Sequence, residues 1–456
     1  MFRSQCFFCF SSGLKAILFT LVLTVFVFHA QAQKVWTLQQ SIDHAISNNL
    51  TIRQTEISGE ISEINYTQNK MALLPTLNGS SSYSYNFGRS VDIFSYEFST
   101  TEIQSANFSI NGSLPVFNGF QIQNTLSRSR YDYLAGKENV RKIKNDISLN
   151  VAAAYLQVLY GKESLKAASG RVEAAIETRN RAGIMFENGM ISQGNLLDAE
   201  AALAAEELAK LNADNVLKSA VINITQLLEL NPSEGFEVAV PDLQIPDQSG
   251  MSLTPEVIYE AAMKTLPEFK IGDLNVKSAE KSLSIARGGR YPRLNLFGSL
   301  NTGYSNARKR LTGERVNFED QLDENYSKSL GLSLSIPIFN SWSAHSNVKR
   351  SALGLENVKL NDQQTKIQVY KSIVQAHSDA NSGMLRYNAA QKAADAASQA
   401  YIYAEKKYNA GMLSSVEFLN VRNNKSRAET DLLQAKYDLI FRIKVIDFYL
   451  GRPLSF

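Results

Sequence analysis

Two hydrophobic periods divide the chain. Four runs step between apolar and small polar residues with period two. Leu77, Gly79, Ser81, Tyr83, Tyr85 and Phe87 alternate with Asn78, Ser80, Ser82, Ser84 and Asn86. Ala106, Phe108, Ile110, Gly112 and Leu114 alternate with Ser105, Asn107, Ser109, Asn111 and Ser113. Leu294, Leu296, Gly298 and Leu300 stand against Asn295, Ser299 and Asn301, with Phe297 as an exception, and Leu330, Leu332, Leu334 and Ile336 stand against Ser329, Gly331, Ser333 and Ser335. The alternation predicts strands at about 76–88, 103–114, 293–304 and 328–337. Elsewhere the period is helical: Ile143, Ile147, Val151, Ala154 and Val158 recur at spacings of 4, 4, 3 and 4. Alanine runs such as Ala152-Ala153-Ala154 and Ala393-Ala394 favour helices and let neighbours approach closely.

Prolines draw the boundaries. Pro75, Pro115, Pro292 and Pro337 bracket the two strand pairs, while Pro232, Pro241, Pro246 and Pro255 cluster between the halves. The halves repeat one another. Ala45 aligns with Ala262 and Pro75 with Pro292 at an offset of 217. Pro115-Val116-Phe117-Asn118 aligns with Pro337-Ile338-Phe339-Asn340 at 222, and that offset holds through Gly189-Met190 with Gly411-Met412, Leu197 with Leu419 and Leu228 with Leu450. So long a self-match implies one fold used twice: a first repeat over 33–230, a Pro-rich link over 231–252 and a second repeat over 253–456. Asn118 to Asn188 is 71 residues, about 105 Å if helical, and Asn340 to Ala410 repeats it. Thr37 to Leu74 and Ile191 to Leu230, with 38 and 40 residues, together match one long helix. Each half therefore reads as a long helix beside two shorter ones set head to tail.

Ahead of the first repeat, Arg3 and Lys15 precede an uncharged apolar run from Ala16 to Phe28, followed by Ala30-Gln31-Ala32. The run is too short to cross a bilayer of about 30 Å as a helix, so residues 1–32 read as a secretory signal peptide cleaved before Gln33. Both cysteines, Cys6 and Cys9, fall inside it. The exported chain then has no thiol, which removes a thiol nucleophile, a cysteine zinc site and a disulfide framework. With 47 Lys and Arg against 44 Asp and Glu, the chain lacks the basic excess that nucleic acid requires. No run of 18 uncharged apolar residues follows the signal, which excludes a helical inner-membrane transporter.

The predicted strands are each about ten residues, the length of a tilted membrane-spanning strand. Their polar faces carry serine, asparagine and glycine, where a soluble sandwich would place lysine and glutamate. Four strands cannot close on themselves, and open edges do not survive in lipid. About eight strands fill their own interior with side chains, so a water-filled pore needs more than two copies; three copies give twelve strands.

Several features together resemble the TolC-like outer-membrane efflux proteins: the signal peptide, the duplicated helix, strand pair, helix, turn and helix, and the Leu74-Pro75-Thr76-Leu77 and Leu114-Pro115-Val116-Phe117 junctions. The Ala154-Tyr155-Leu156-Gln157-Val158-Leu159-Tyr160 stretch and the Tyr408-Asn409-Ala410-Gly411 turn extend the resemblance over essentially the whole exported chain. It implies a fold that is mainly α with a transmembrane β part, a duplicated long-helix tunnel whose four strands per chain contribute to a trimeric twelve-stranded β-barrel. It also implies an outer-membrane location with most of the chain in the periplasm. The implied partners are two further copies in a homotrimer, outer-membrane lipid, a periplasmic adaptor (membrane fusion) protein and an inner-membrane pump. The implied function is a passive exit duct of a tripartite efflux or type I secretion system, with no enzymatic activity, cofactor or metal.

The resemblance further places adaptor contacts at the tip turns, Phe186, Gly189 and Met190 in the first half and Tyr408, Gly411 and Met412 in the second. The family's acidic mouth positions fall on Glu417 and Asn420, and on Asn195 and Asp198. Only part of the acidic pattern is kept. Asp198 and Glu417 either supply six carboxylates per trimer at the mouth or are ordinary solvated helix residues.

Other candidates read as structural. His44, His345 and His377 lie far apart, each most simply on a helix surface. Ser41, Asp43 and His44 share one short stretch without a nucleophile elbow. Gly288-Gly289 before Tyr291-Pro292 reads as a turn at a helix end rather than a phosphate cradle. The competing reading, a periplasmic structural coiled coil or adaptor protein, shares the long helices but has no use for four such strands.

Overall fold

The computed structural model describes residues 35–91, 96, 98–99, 102–231, 236–241, 245, 247–310 and 312–454. The expected signal peptide and the closing Phe456 lie outside the described residues. In chain order the helices are α1 (Leu38–Asn48), α2 (Leu50–Met71), α3 (Gln121–Glu187), α4 (Gln193–Leu227), α5 (Pro255–Thr265), α6 (Pro267–Gly288), α7 (Phe318–Glu324), α8 (Ser343–Asn409) and α9 (Ser415–Tyr449). The strands are β1 (Val35–Trp36), β2 (Thr76–Asn86), β3 (Ser90–Val91), β4 (Phe98–Ser99), β5 (Ile103–Phe117), β6 (Glu237–Val238), β7 (Arg293–Ser305) and β8 (Ser327–Ser335). The repeat returns as equal helix lengths: 11 residues in α1 and α5, 22 in α2 and α6, 67 in α3 and α8, and 35 in α4 and α9.

The segment 37–74 differs from its single-helix expectation. It breaks at Asn49, whose backbone is extended (φ −65°, ψ 126°) and whose Oδ1 accepts from the N–H groups of Thr51 (3.0 Å) and Ile52 (3.3 Å), starting α2 afresh. The second half breaks at the equivalent place by other means. Leu266 is extended (ψ 133°) because Pro267 opens α6, and a residue before proline is pushed out of the helical region.

The described chain forms two compact units, each drawing on both halves: one comprises 54–142 and 266–369, the other 35–53, 143–265 and 370–454. The first holds a sheet in the order β2-β5-β7-β8, antiparallel throughout. Its register sorts the side chains by face. Leu77, Gly112, Gly298 and Leu330 lie in one row and Leu114, Leu296 and Leu332 in another, while the opposite face carries rows such as Ser80-Ser109-Asn301-Ser327 and Asn78-Asn111-Ser299-Ser329. Hydroxyls on the polar face pair across strands, Ser80 with Ser109 at 2.6 Å and Ser299 with Ser329 at 2.7 Å. Phe297, the exception in the alternation, sits on this polar face opposite Gly331, where an added Cβ would lie 2.6 Å from its Cζ. Glycine there is the space that the ring occupies. β5 runs beyond the expected end at 114, and its register shifts between Pro115 and Phe117, because proline has no N–H to give the ladder.

Where strands hand over to helices, two consecutive residues adopt left-handed backbone in each half: Gly119 and Phe120 (φ 67° and 60°), Ser341 and Trp342 (φ 51° and 66°). Gly119 is also packed: its added Cβ would meet Gly288 O at 2.3 Å. α6 does end in a turn at Gly288-Gly289, as expected, but not because glycine supplies a special backbone. Neither residue has positive φ, Gly289 being right-handed (φ −64°, ψ −9°), and Gly288 is glycine because the Gly119 backbone passes against it. Deeper in this unit, Glu138 is buried. Burial pushes its pKa up, but the hydrogen bonds and charges of Lys270 and Arg141 outweigh that and leave it below the ordinary carboxylate value.

The other unit carries the main core, in which Val151, Tyr155, Val158 and Leu159 of α3 pack with Leu38 and Ile42 of α1, Ile224 of α4 and Ile440 of α9. The link is not bare loop: β6 pairs in parallel with β1, Val35 opposite Glu237 and Trp36 opposite Val238. The hydroxyl of Tyr155 closes this two-stranded patch, 3.1 Å from the carbonyl of Trp36 and 2.7 Å from that of Ala239, and burial pushes its pKa up to about 12. Tyr155→Phe leaves those carbonyls without the donor and should cost about 1–3 kcal/mol, read as a lower melting temperature in detergent.

Candidate functional site

The long helices end identically. α3 stops at Gly189 (φ 69°), with Gly189 N–H donating to Phe186 O (2.8 Å) and Met190 N–H to Met185 O (2.8 Å). α8 stops at Gly411 (φ 71°), with Gly411 N–H donating to Tyr408 O (3.0 Å) and Met412 N–H to Lys407 O (2.9 Å). Both are Schellman ends, in which a left-handed residue lets the chain turn back and satisfies the last carbonyls. The turns leave Met190 and Met412 equally bare, each 70% exposed. Phe186 is exposed as well, whereas Tyr408 turns inward and stacks on Phe418 with ring centroids 4.6 Å apart and planes 7° apart. Tyr401 adds a third ring, 5.7 Å from Phe418. The first hairpin places Leu196 at the position of Phe418, and its Arg179 reaches Glu200 across the pair at 3.1 Å instead.

The return helices start differently. Ser414 caps α9: its Oγ accepts from Glu417 N–H (3.3 Å), and Glu417 Oε2 accepts from Ser414 N–H (3.1 Å) and Oγ–H (2.8 Å). The hydroxyl of Ser414 and then its backbone N–H hold Glu417 below the ordinary carboxylate value. Ser192 begins α4 with no side-chain cap bond, and the third residue on is Asn195, so the reciprocal half of a capping box has no carboxylate either. Ser415 Oγ lies 3.1 Å from Asn195 Oδ1 and 3.4 Å from Asp198 Oδ2, which joins the start of α9 to two of the four mouth positions. Asn195 and Asp198 are half-buried in that contact, while Glu417 and Asn420 are exposed. Ser415 and the rings of Tyr401 and Phe418 were not anticipated. Ser414-x-x-Glu417 does carry a legible signal, the capping-box spacing.

The remaining candidates are accounted for locally. Ser41 is buried and donates to Thr37 O (2.9 Å). His44 packs edge-on against Trp36 (5.0 Å), and His377 Nε2 lies 3.2 Å from Met251 O. Among the described residues no group of three potential metal ligands converges, and no helix is long and apolar enough to cross a membrane.

A sheet with one apolar and one serine–asparagine face, joined to two long helical hairpins, defines an outer-membrane channel-tunnel protein. The chain belongs to the outer membrane efflux protein family, which it matches over residues 41–229 and 258–451. It is 22% identical over 447 residues to the outer membrane protein TolC of Escherichia coli K12, covering 96% of this chain and 86% of that one. It is 22% identical over 412 residues to the toxin and drug export protein A of Aggregatibacter actinomycetemcomitans, covering 88% and 83%. Among solved structures, the outer membrane protein VceC of Vibrio cholerae superposes with a TM-score of 0.78 at 13% identity, covering 92% of this chain and 97% of that one. The protein is thus an outer-membrane efflux duct, which sets aside the competing adaptor reading.

Glu417 has a folded pKa below its unfolded one, so its capping contribution is present above the unfolded value, near 4.5, and is lost as pH falls through the folded value. Amide exchange over 415–420, corrected for intrinsic rates, should therefore accelerate on acidification. Glu417→Ala should show the fast rate already at neutral pH and no further change.

Proposed function

We propose that three copies join the free edges of β2 and β8, each of which pairs on one side only in the sheet, into a twelve-stranded barrel that serves as the passive exit of a tripartite efflux system. The observation that carries this is the sheet itself. Its apolar face suits lipid, its hydroxyl face suits a water-filled lumen, and its two edges hold backbone groups that hydrocarbon cannot satisfy. The tip turns at Gly189 and Gly411, with bare Met190 and Met412, are the docking points for a periplasmic adaptor, through which an inner-membrane pump supplies the driving force. No chemistry is asked of this chain. At the mouth, Asp198 and Glu417 both contribute charge: Asp198 is half-buried beside Ser415, and Glu417 stays exposed and ionised although Ser414 donates to it. Three-fold repetition of these carboxylates in a constriction concentrates cations, and salt weakens the effect.

The detergent-solubilised protein should have the mass of three chains; a stable folded monomer would refute the barrel. Gly189→Val with Gly411→Val forces β-branched residues into left-handed backbone, at roughly 1–2 kcal/mol each, and should abolish export while trimers still reach the outer membrane. Single channels in planar bilayers should prefer cations, and Asp198→Asn and Glu417→Gln should each reduce that preference without changing trimer yield. Equal selectivity in all three proteins would move the constriction elsewhere on these helices.

A further inference from the structure

The two ends of the sheet differ in charge. Because the strands are antiparallel, Thr76, Phe117, Arg293 and Ser335 lie at one end, and each continues from or into a helix. The adjoining stretches 64–75, 118–131, 281–292 and 337–350, about two helical turns plus each connection, contain eight Lys or Arg and no Asp or Glu. The stretches at the other end, 86–104 and 306–328, contain six basic and eight acidic residues, and pair them, as in Arg308–Glu324 (2.9 Å) and Arg310–Asp320 (3.1 Å). At the helical end Arg128 reaches Asp132 at 3.7 Å. Lys70, Arg130, Arg287, Arg290, Lys349 and Arg350 are exposed, and none of them has a carboxylate partner among the described residues.

Exposed rings accompany these cations. Phe120 (59% exposed), Tyr291 (54%) and Trp342 (65%) stand at the same junctions, two of them held out by the left-handed backbone. One cation is tied to a ring through histidine: Arg290 Nη2 lies 3.5 Å from His345 Nδ1, and the His345 ring lies 4.7 Å from that of Trp342. Amphipathic rings seek the depth of lipid headgroups, and cations just beyond them meet headgroup phosphates. An acidic protein surface would satisfy the cations but not this row of rings.

We propose that the helical end of the sheet is a binding belt for anionic phospholipid headgroups of the bilayer leaflet that faces the helices. Cations on all four connections hold the phosphates, and Phe120, Tyr291 and Trp342 set the depth. The belt rests on the membrane reading of the sheet and adds a lipid class to it.

The test uses the purified oligomer in nanodiscs of POPC alone or of POPC with POPG. Wild-type protein should melt several degrees higher with POPG, and in native mass spectrometry should retain POPG over POPC by about tenfold, with both effects lost at roughly 0.5 M salt. The variant Arg287→Gln, Arg290→Gln, Lys349→Gln, Arg350→Gln should melt as wild type in POPC and gain nothing from POPG. Wild-type protein that neither gains stability from POPG nor retains it overturns the belt, whatever the variant does. So does a folded variant with the wild-type response, or inorganic phosphate that reproduces the shift in POPC. A chain that does not enter POPC nanodiscs overturns the membrane reading and the belt together, whereas insertion without lipid preference overturns the belt alone.

Discussion

A backbone N–H or C=O in hydrocarbon has no water to turn to, and each one left unpaired costs several kcal/mol. Most of this molecule follows from that constraint. It requires the strand residues to sit in a continuous antiparallel ladder, and it tolerates Pro115 only where β5 shifts register. It leaves the outer edges of β2 and β8 in need of partners, which the proposed assembly supplies. The alternation of leucine with serine and asparagine is the side-chain consequence of the same ladder, one face meeting acyl chains and the other water.

The duplicated halves show how one geometry is reached by different chemistry. The break between the two short helices is made by the Asn49 side chain in one half and by the ring of Pro267 in the other. The tips share backbone and spacing, yet one return helix is fastened by Ser414, Glu417 and a stack of rings, and the other begins at Ser192 with no such fastening. The turns match between the halves while the side chains that clamp them differ, rings in one and the Arg179–Glu200 pair in the other.

The parts legible in the sequence were those with a period or a special backbone requirement. Alternation over ten residues located all four membrane strands, and glycine located both tips. The helix break at Asn49 was not seen, because asparagine is compatible with a helical pattern until its carbonyl is known to cap the next helix. β1 and β6 were missed because two residues have no period. The mouth positions Asn195, Asp198, Glu417 and Asn420 rest on the family resemblance counted from the two tip glycines, and Ser415, which joins two segments about 220 residues apart, leaves no trace in local pattern. Gly288 lies at the helix end where the pattern puts it, but its close packing against Gly119 is not legible, since a glycine needed for packing and one needed for a turn look alike in one dimension.

The pairing of β1 with β6 has a consequence for biogenesis. An exported chain is delivered N-terminus first, and Val35 cannot meet Glu237 until about two hundred further residues have followed it. Until then Trp36 and the apolar face of α1 are without their seam, and loop closure over that separation is slow compared with helix formation. The seam at Trp36 is therefore among the later parts of this unit to be sealed.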